Sequence, residues 1–222
     1  MLHRPRSAVA RGILSIWNDF PAEQEDFYER WYMGEHFPER LGVPGFIRGR
    51  RYEAIAADRR YFTCYELDTP EVMFSAPYLA RLNDPTAWTT TVMGSWRSMF
   101  RTVCERVRRR GDAVGGFAIA ARWEAPVELP LDLADRVFAA LDDPGIVAVD
   151  TWRAFSSQNS PTKEAAMRAE PDRFVNAVLL IEATRERSIA AAKDRLKDVL
   201  PSSPLPQAVG AWRLIALQDA VG

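Results

Sequence analysis

The chain has 222 residues, 47% hydrophobic and 27% charged, with a formal net charge of -1. This length suits one large domain or two small ones, and the balanced charge excludes the basic excess that marks nucleic-acid binders. Cys64 and Cys104 are too few for a disulfide scaffold and fit no metal spacing. Free thiols and a cytoplasmic location are therefore expected, and no apolar run reaches the roughly 20 residues of a membrane span.

Residues 1–8 read as a loose basic tail without the apolar stretch of a secretory signal. Ile13 to Trp17 form an apolar strand closed by Asn18-Asp19-Phe20-Pro21. A helix follows, with Phe27, Trp31 and Gly34 at i, i+4 and i+7 and with Glu25, Asp26, Glu29 and Arg30 on the other side. Tyr28 and Tyr32 fall on a half-exposed stripe. Pro38 lacks an N–H and its ring presses on the carbonyl of Gly34, so the helix is expected to kink or end near His36. Val43-Pro44-Gly45 turns the chain into a strand, Phe46 to Glu53, and an aromatic strand runs from Tyr61 to Leu67. Asp68-Thr69-Pro70-Glu71 is a helix-start pattern. Short helical pieces occupy Val72 to Leu82 and Thr86 to Met93, and Trp96 to Val107 is a long fourth strand.

The run Arg106-Val107-Arg108-Arg109-Arg110, read as a solvated strand end and linker, and the glycines at 111, 115 and 116 interrupt this order of strand, helix, strand, strand, helix, strand. The order then returns. Phe117 to Trp123 is a strand, Leu131 to Leu141 a helix, and Ile146 to Phe155 a strand after the Asp142-Asp143-Pro144-Gly145 turn. A polar stretch at 156–161 leads to a short helix at Thr162 to Ala169 and a strand at Phe174 to Ile181. Glu186 to Leu200 is a helix, residues 201–206 break it, and Val209 to Leu217 is the last strand. Pro44-Gly45 aligns with Pro144-Gly145, and that offset also pairs Trp31 with Leu131, Phe37 with Val137, Leu41 with Leu141 and Tyr52 with Trp152. Further on, Trp96-Arg97 aligns with Trp212-Arg213. These collinear matches predict a tandem duplication, with units at 9–110 and 111–222. Each βαββαβ unit makes a four-stranded antiparallel sheet with helices on one face. The other face needs cover, which two units in one chain can give each other. The expected fold is therefore α+β: two ferredoxin-like units packed sheet to sheet as an intramolecular α/β barrel.

The residues Asp26-Phe27, Trp31, His36, Val43-Pro44-Gly45 and Tyr52 resemble the pattern of EthD-like proteins in the dimeric α/β-barrel superfamily. The resemblance covers roughly residues 9 to 107, and the second half shares the architecture only. It implies a small-molecule site in the cleft between sheet and helices or inside the barrel. The activities it implies are those of small-molecule monooxygenases, lactone isomerases, polyketide cyclases or haem enzymes. EthD-like sequences often carry a second histidine just before the tryptophan; here that position is Arg30.

His36 is the leading catalytic candidate, since imidazole titrates near neutral pH and a helix end would favour its protonated form. The second unit has Arg136 in its place. Tyr32, one turn earlier, can touch His36 and help it. On the strands, Tyr61, Thr63 and Tyr65 share one face and Phe62, Cys64 and Glu66 the other, and alternation leaves open which faces a cavity. Arg48, Arg50 and Tyr52 on one strand face could bind an acidic or phenolic ligand or form a structural ion pair across the units, and Trp31 and Tyr65 complete the candidate ligand wall. Glu35, His36 and Glu39 are a weak metal pattern, so no metal is expected. No cofactor is expected either, because haem would have to rely on His36 as axial ligand.

Three functions stay open at this level. One is a cofactor-independent lyase, isomerase or cyclase acting on a small hydrophobic or aromatic carbonyl compound. Another is a non-catalytic ligand-binding or assembly protein, favoured if the space between the sheets is filled by Trp and Phe; a homo-oligomer fits either. The last is a small-molecule monooxygenase. Neither a nucleic-acid nor a membrane partner is expected.

Overall fold

The computed structural model describes residues 10–157, 162–168, 170–200 and 204–220. The expected tail at 1–8 and parts of the two breaks at 156–161 and 201–206 lie outside these residues. Eight strands close into one antiparallel barrel: β1 (Gly12–Asp19), β2 (Phe46–Ala56), β3 (Tyr61–Leu67), β4 (Arg97–Arg110), β5 (Phe117–Trp123), β6 (Ile146–Ala154), β7 (Ala177–Ala183) and β8 (Ala208–Asp219). Around the barrel they run β1-β3-β2-β8-β5-β7-β6-β4. The chain is thus two ferredoxin-like sheets, ordered 4-1-3-2 and 8-5-7-6, joined where β2 meets β8 and β4 meets β6. Closure leaves no open sheet edge. The turns before β2 and β6 are tied down alike: Asp68 N–H donates to the Gly45 carbonyl and Thr184 N–H to the Gly145 carbonyl, both at 2.9 Å.

Alternation along each strand sends one set of side chains inward and the other to the helices. The interior is packed with Trp17, Tyr52, Phe62, Phe100, Trp152 and Trp212 among smaller side chains. Beside these lies a buried ionic cluster. Arg50 reaches Glu182 at 2.6 Å and Glu66 at 3.1 Å, and Arg106 and Arg109 hold Asp150 at 2.9 and 3.2 Å. Except for Arg50–Glu66, these pairs cross between the two units. The basic run at 106–110 is therefore not a solvated linker. A register shift between Arg106 and Arg108 turns Arg106 and Arg109 inward, while Arg108 stays exposed against Asp135 at 2.8 Å. Cys64 and Cys104 are free and buried in the same interior, and burial pushes both thiols up to about 12, so neither is a thiolate at neutral pH.

Helices cover the outside. On the first sheet lie α1 (Glu25–Trp31), a π-helical turn at Tyr32–His36, α2 (Phe37–Leu41), α3 (Ala76–Asn83) and α4 (Ala87–Met93). On the second lie α5 (Leu133–Leu141) and α7 (Glu186–Val199), while α6 (Lys163–Met167) reaches back to the first unit. Ser75, Thr86 and Thr162 cap α3, α4 and α6 by accepting backbone N–H groups. No helix among the described residues is long and apolar enough to cross a membrane.

Candidate functional site

The helix does not end near His36. The backbone stays helical from Glu25 to Leu41, because the π-helical turn shifts the hydrogen-bond register just before Pro38. The Phe37 N–H donates to the Tyr32 carbonyl five residues back, so the donor that proline lacks falls at the change of register. His36 therefore sits inside a helical run and gains no end-of-helix charge. The buried face is also rotated from the expected one. Phe27 and Gly34 are exposed, while Tyr28, Trp31 and Tyr32 are buried. Arg51 on β2 holds this face. Its guanidinium forks onto Glu29 at 2.5 and 2.6 Å and lies over the rings of Tyr28, Tyr32 and Tyr61, pinning that face of α1 to the sheet. Gly49 lets α2 come down on the strand, since a Cβ there would meet the Phe37 ring at 2.4 Å.

His36 is 3% exposed and boxed by aromatics: Trp31 at 4.4 Å between ring centroids, Tyr32 at 5.2 Å and Trp96 at 6.1 Å. Its Nδ1 is buried with no hydrogen-bond partner among the described residues. Burial first, and then the guanidinium groups of Arg40, Arg51 and Arg168, hold its pKa well below the usual histidine range. The imidazole is neutral at pH 7, contrary to the protonated form expected of a helix end. It borders a cavity of about 50 Å³, shared with Tyr65, Tyr78, Trp96, Arg101 and, from the second unit, Glu164, Arg168 and Asp172. At roughly 10–15 Å³ of such space per water, it holds about four waters or a compact molecule. Further buried polar atoms of its wall have no partner among the described residues: Trp96 Nε1, Arg168 Nε and Asp172 Oδ1.

The other expected residues divide between the two faces of the sheet. Tyr65 lines the cavity, and burial raises its phenol well above the usual value, so it acts as a hydroxyl. The Tyr32 hydroxyl donates to Thr63 at 3.1 Å and lies 3.4 Å from that of Tyr65, so Tyr32 meets His36 by ring contact only. The Trp31 ring lies tilted against His36 and its Nε1–H donates to Thr89 at 3.1 Å. Arg50 and Tyr52 point the other way, into the barrel, where Arg50 also donates to the Tyr52 hydroxyl at 3.4 Å. Arg48, displaced by a register shift in β2, pairs with Asp219 at the rim at 2.6 Å. These three do not meet His36. The Glu35 carboxylate accepts from Thr86 and Thr89 and that of Glu39 from Arg40, and no metal-like group of three forms among the described residues. Sequence reasoning missed Arg101, Tyr78 and Trp96. Arg101 had a signal, a lone charge between Met99 and Val103 on an apolar strand face. Glu164, Arg168 and Asp172 had none, because they arrive from the other unit.

No family model matches the sequence, and no curated protein matches it. Solved structures do. An anthrone oxidase-like protein superposes with a TM-score of 0.57 at 9% identity, over 97% of this chain and 95% of that one. A candidate monooxygenase from Lactobacillus acidophilus NCFM gives 0.52 at 9% identity, over 95% and 97%. A variant of the chlorite dismutase of Candidatus Nitrospira defluvii, in complex with cyanide, gives 0.54 at 8% identity, over 95% and 92%. The fold is that of the dimeric α/β barrels. Haem, which the resemblance allows, does not fit beside His36: about 50 Å³ is far below the roughly 300–1,000 Å³ of pockets that enclose even drug-sized ligands.

Proposed function

We propose that the cleft between the first sheet and its helices is the site of a cofactor-independent, EthD-like enzyme that moves a proton on a small carbonyl compound. The observation that carries this reading is His36, a neutral imidazole whose Nδ1 has no partner among the described residues and whose ring borders a cavity. A base buried without a partner in the protein is free for one in a ligand. In the step envisaged, the imidazole takes a proton from a C–H next to the carbonyl. The bonding pair becomes an enolate, and the Tyr65 hydroxyl is the nearby donor to its oxygen. Returning the proton to another carbon makes an isomerase, and expelling a β-leaving group makes a lyase. Tyr32 and Trp31 hold the ring in place. Arg48, Arg50 and Tyr52 then belong to the joint between the units rather than to the substrate. The cavity size shifts the substrate from an aromatic compound toward a compact carbonyl.

A second reading, ligand binding or assembly without turnover, draws support from the barrel interior, which Trp and Phe side chains fill. A third, oxidation by molecular oxygen, draws only on the names of the fold neighbours. Native mass spectrometry of freshly purified protein, followed by proton–deuterium exchange of compact carbonyl compounds in D2O, separates the three. Exchange that His36→Gln abolishes is the expected result. Binding without exchange supports the second reading, and oxygen uptake the third.

A further inference from the structure

Three guanidinium groups border the His36 cavity, and their pairing is unequal. Arg40 bonds Glu164 and also Glu39, at 3.3 Å. Arg168 pairs with Asp172 at 2.8 Å. Arg101 donates to the Tyr78 hydroxyl at 3.1 Å and makes no ion pair among the described residues. Its place is fixed by β4, since it shares the helix-facing side with Met99 and Val103 and its own N–H donates to the Arg173 carbonyl at 3.0 Å. A guanidinium presents five N–H donors in a planar fork, and one phenol hydroxyl accepts few of them. Arg101 therefore keeps N–H donors that no carboxylate of the described residues accepts, Asp172 and Glu164 acting on it only from a distance, on the same cavity as His36 Nδ1.

The geometry points to a compact carboxylate as the ligand, with Arg101 receiving the carboxylate and His36 facing the carbon skeleton. A planar carboxylate matches the geometry of the guanidinium fork. The small volume and the two carboxylates already in the wall disfavour a phosphate dianion. This inference rests on the reading of the cavity as a substrate site and adds the class of substrate, a small oxo acid. Arg101 is then a binding residue that also fixes which C–H reaches His36.

Pyruvate and 2,3-butanedione test it, because they match closely in size and differ in charge. Ligand-observed NMR in D2O reads both affinity and the loss of methyl protons to exchange. The parent protein is expected to bind pyruvate at least about tenfold more tightly than butanedione, in line with a charge-assisted fork. Arg101→Gln should remove that preference by weakening pyruvate alone, and Arg101→Lys should restore part of it. Equal affinity of the parent for the two compounds, no binding of either, or a preference that survives in Arg101→Gln would overturn the carboxylate site. The parent's own preference needs no variant, so the test stays decisive even if the Arg101→Gln protein fails to fold. His36→Gln separates the two layers. A charge preference without His36-dependent exchange removes the proton-transfer reading and keeps the carboxylate site. Exchange without a charge preference does the reverse.

Discussion

The two units share a topology but fill the space between sheet and helices with opposite chemistry. In the second, β5–β8, α5 and α7 enclose Ile119, Leu133, Val137, Leu179, Ile181, Ile189 and Leu196, an aliphatic core with few polar atoms. In the first, the same layer holds Tyr28, Trp31, Tyr32, Tyr65, Tyr78 and Trp96, threaded with His36, Arg40 and Arg51. Leu41 and Leu141 are buried alike, as are Phe37 and Val137, yet Trp31 is buried where Leu131 is exposed, and His36 is buried where Arg136 is exposed. Burying polar groups costs stability unless they are satisfied. The first unit leaves His36 Nδ1 and Trp96 Nε1 unsatisfied, and α6 of the second unit reaches across to complete its cavity. One unit therefore reads as scaffold and the other as site.

The largest effect should come from severing that reach. The Arg40–Glu164 pair is almost fully buried and joins α2 to α6. Glu164→Leu leaves a guanidinium short of a partner, with only Glu39 remaining, and should cost about 3 kcal/mol in chemical denaturation. It should also weaken any cavity ligand, because α6 forms part of the wall. An effect on stability with ligand binding intact would show that α6 is only packing.

Of similar size is a cut confined to the scaffold. Leu179 is fully buried on β7 in the aliphatic core. Leu179→Ala removes buried methyl groups and leaves a cavity, at a cost of about 2–5 kcal/mol. Ligand affinity at the first unit should not change while the protein stays folded. A parallel loss of affinity would mean that the two cores are not independent.

The asymmetry was only partly legible beforehand. Apolar alternation and the Pro-Gly turns sufficed for the strand order and the barrel, because a bare sheet face has few ways to be covered. His36 stood out because no counterpart exists at residue 136. Its charge state did not, since that depends on how deeply it is buried and on Arg40, Arg51 and Arg168, which the fold alone brings near. The rotated face of α1 was equally hidden. Period 3.6 marks a stripe, but Arg51, twenty residues beyond Trp31, decides that Tyr28 and Tyr32 rather than Phe27 go inside. Arg50 and Tyr52 shared a strand face as expected, yet which side that face looks toward was set by barrel closure.

The smallest effect is also the one most particular to the site. His36 is held neutral in the folded chain, whereas in the unfolded chain it titrates near pH 6.5. Above that pH the imidazole is neutral in both states and contributes no pH dependence. Below it the unfolded chain binds a proton that the folded chain refuses, so stability falls as the pH falls, by about 1.4 kcal/mol per unit until the folded pKa is reached. Denaturation curves for the parent and for His36→Gln between pH 7 and pH 5 should therefore diverge toward the acid end, by up to about 2 kcal/mol, with the parent the more acid-sensitive. Glu39, whose carboxyl burial raises, is common to both proteins, so it cancels in the difference. No such divergence is expected for Arg136→Gln in the second unit, since that side chain is exposed. Parallel curves for parent and His36→Gln would mean that the imidazole takes up its proton in the folded state, and the neutral base on which the site depends would be lost.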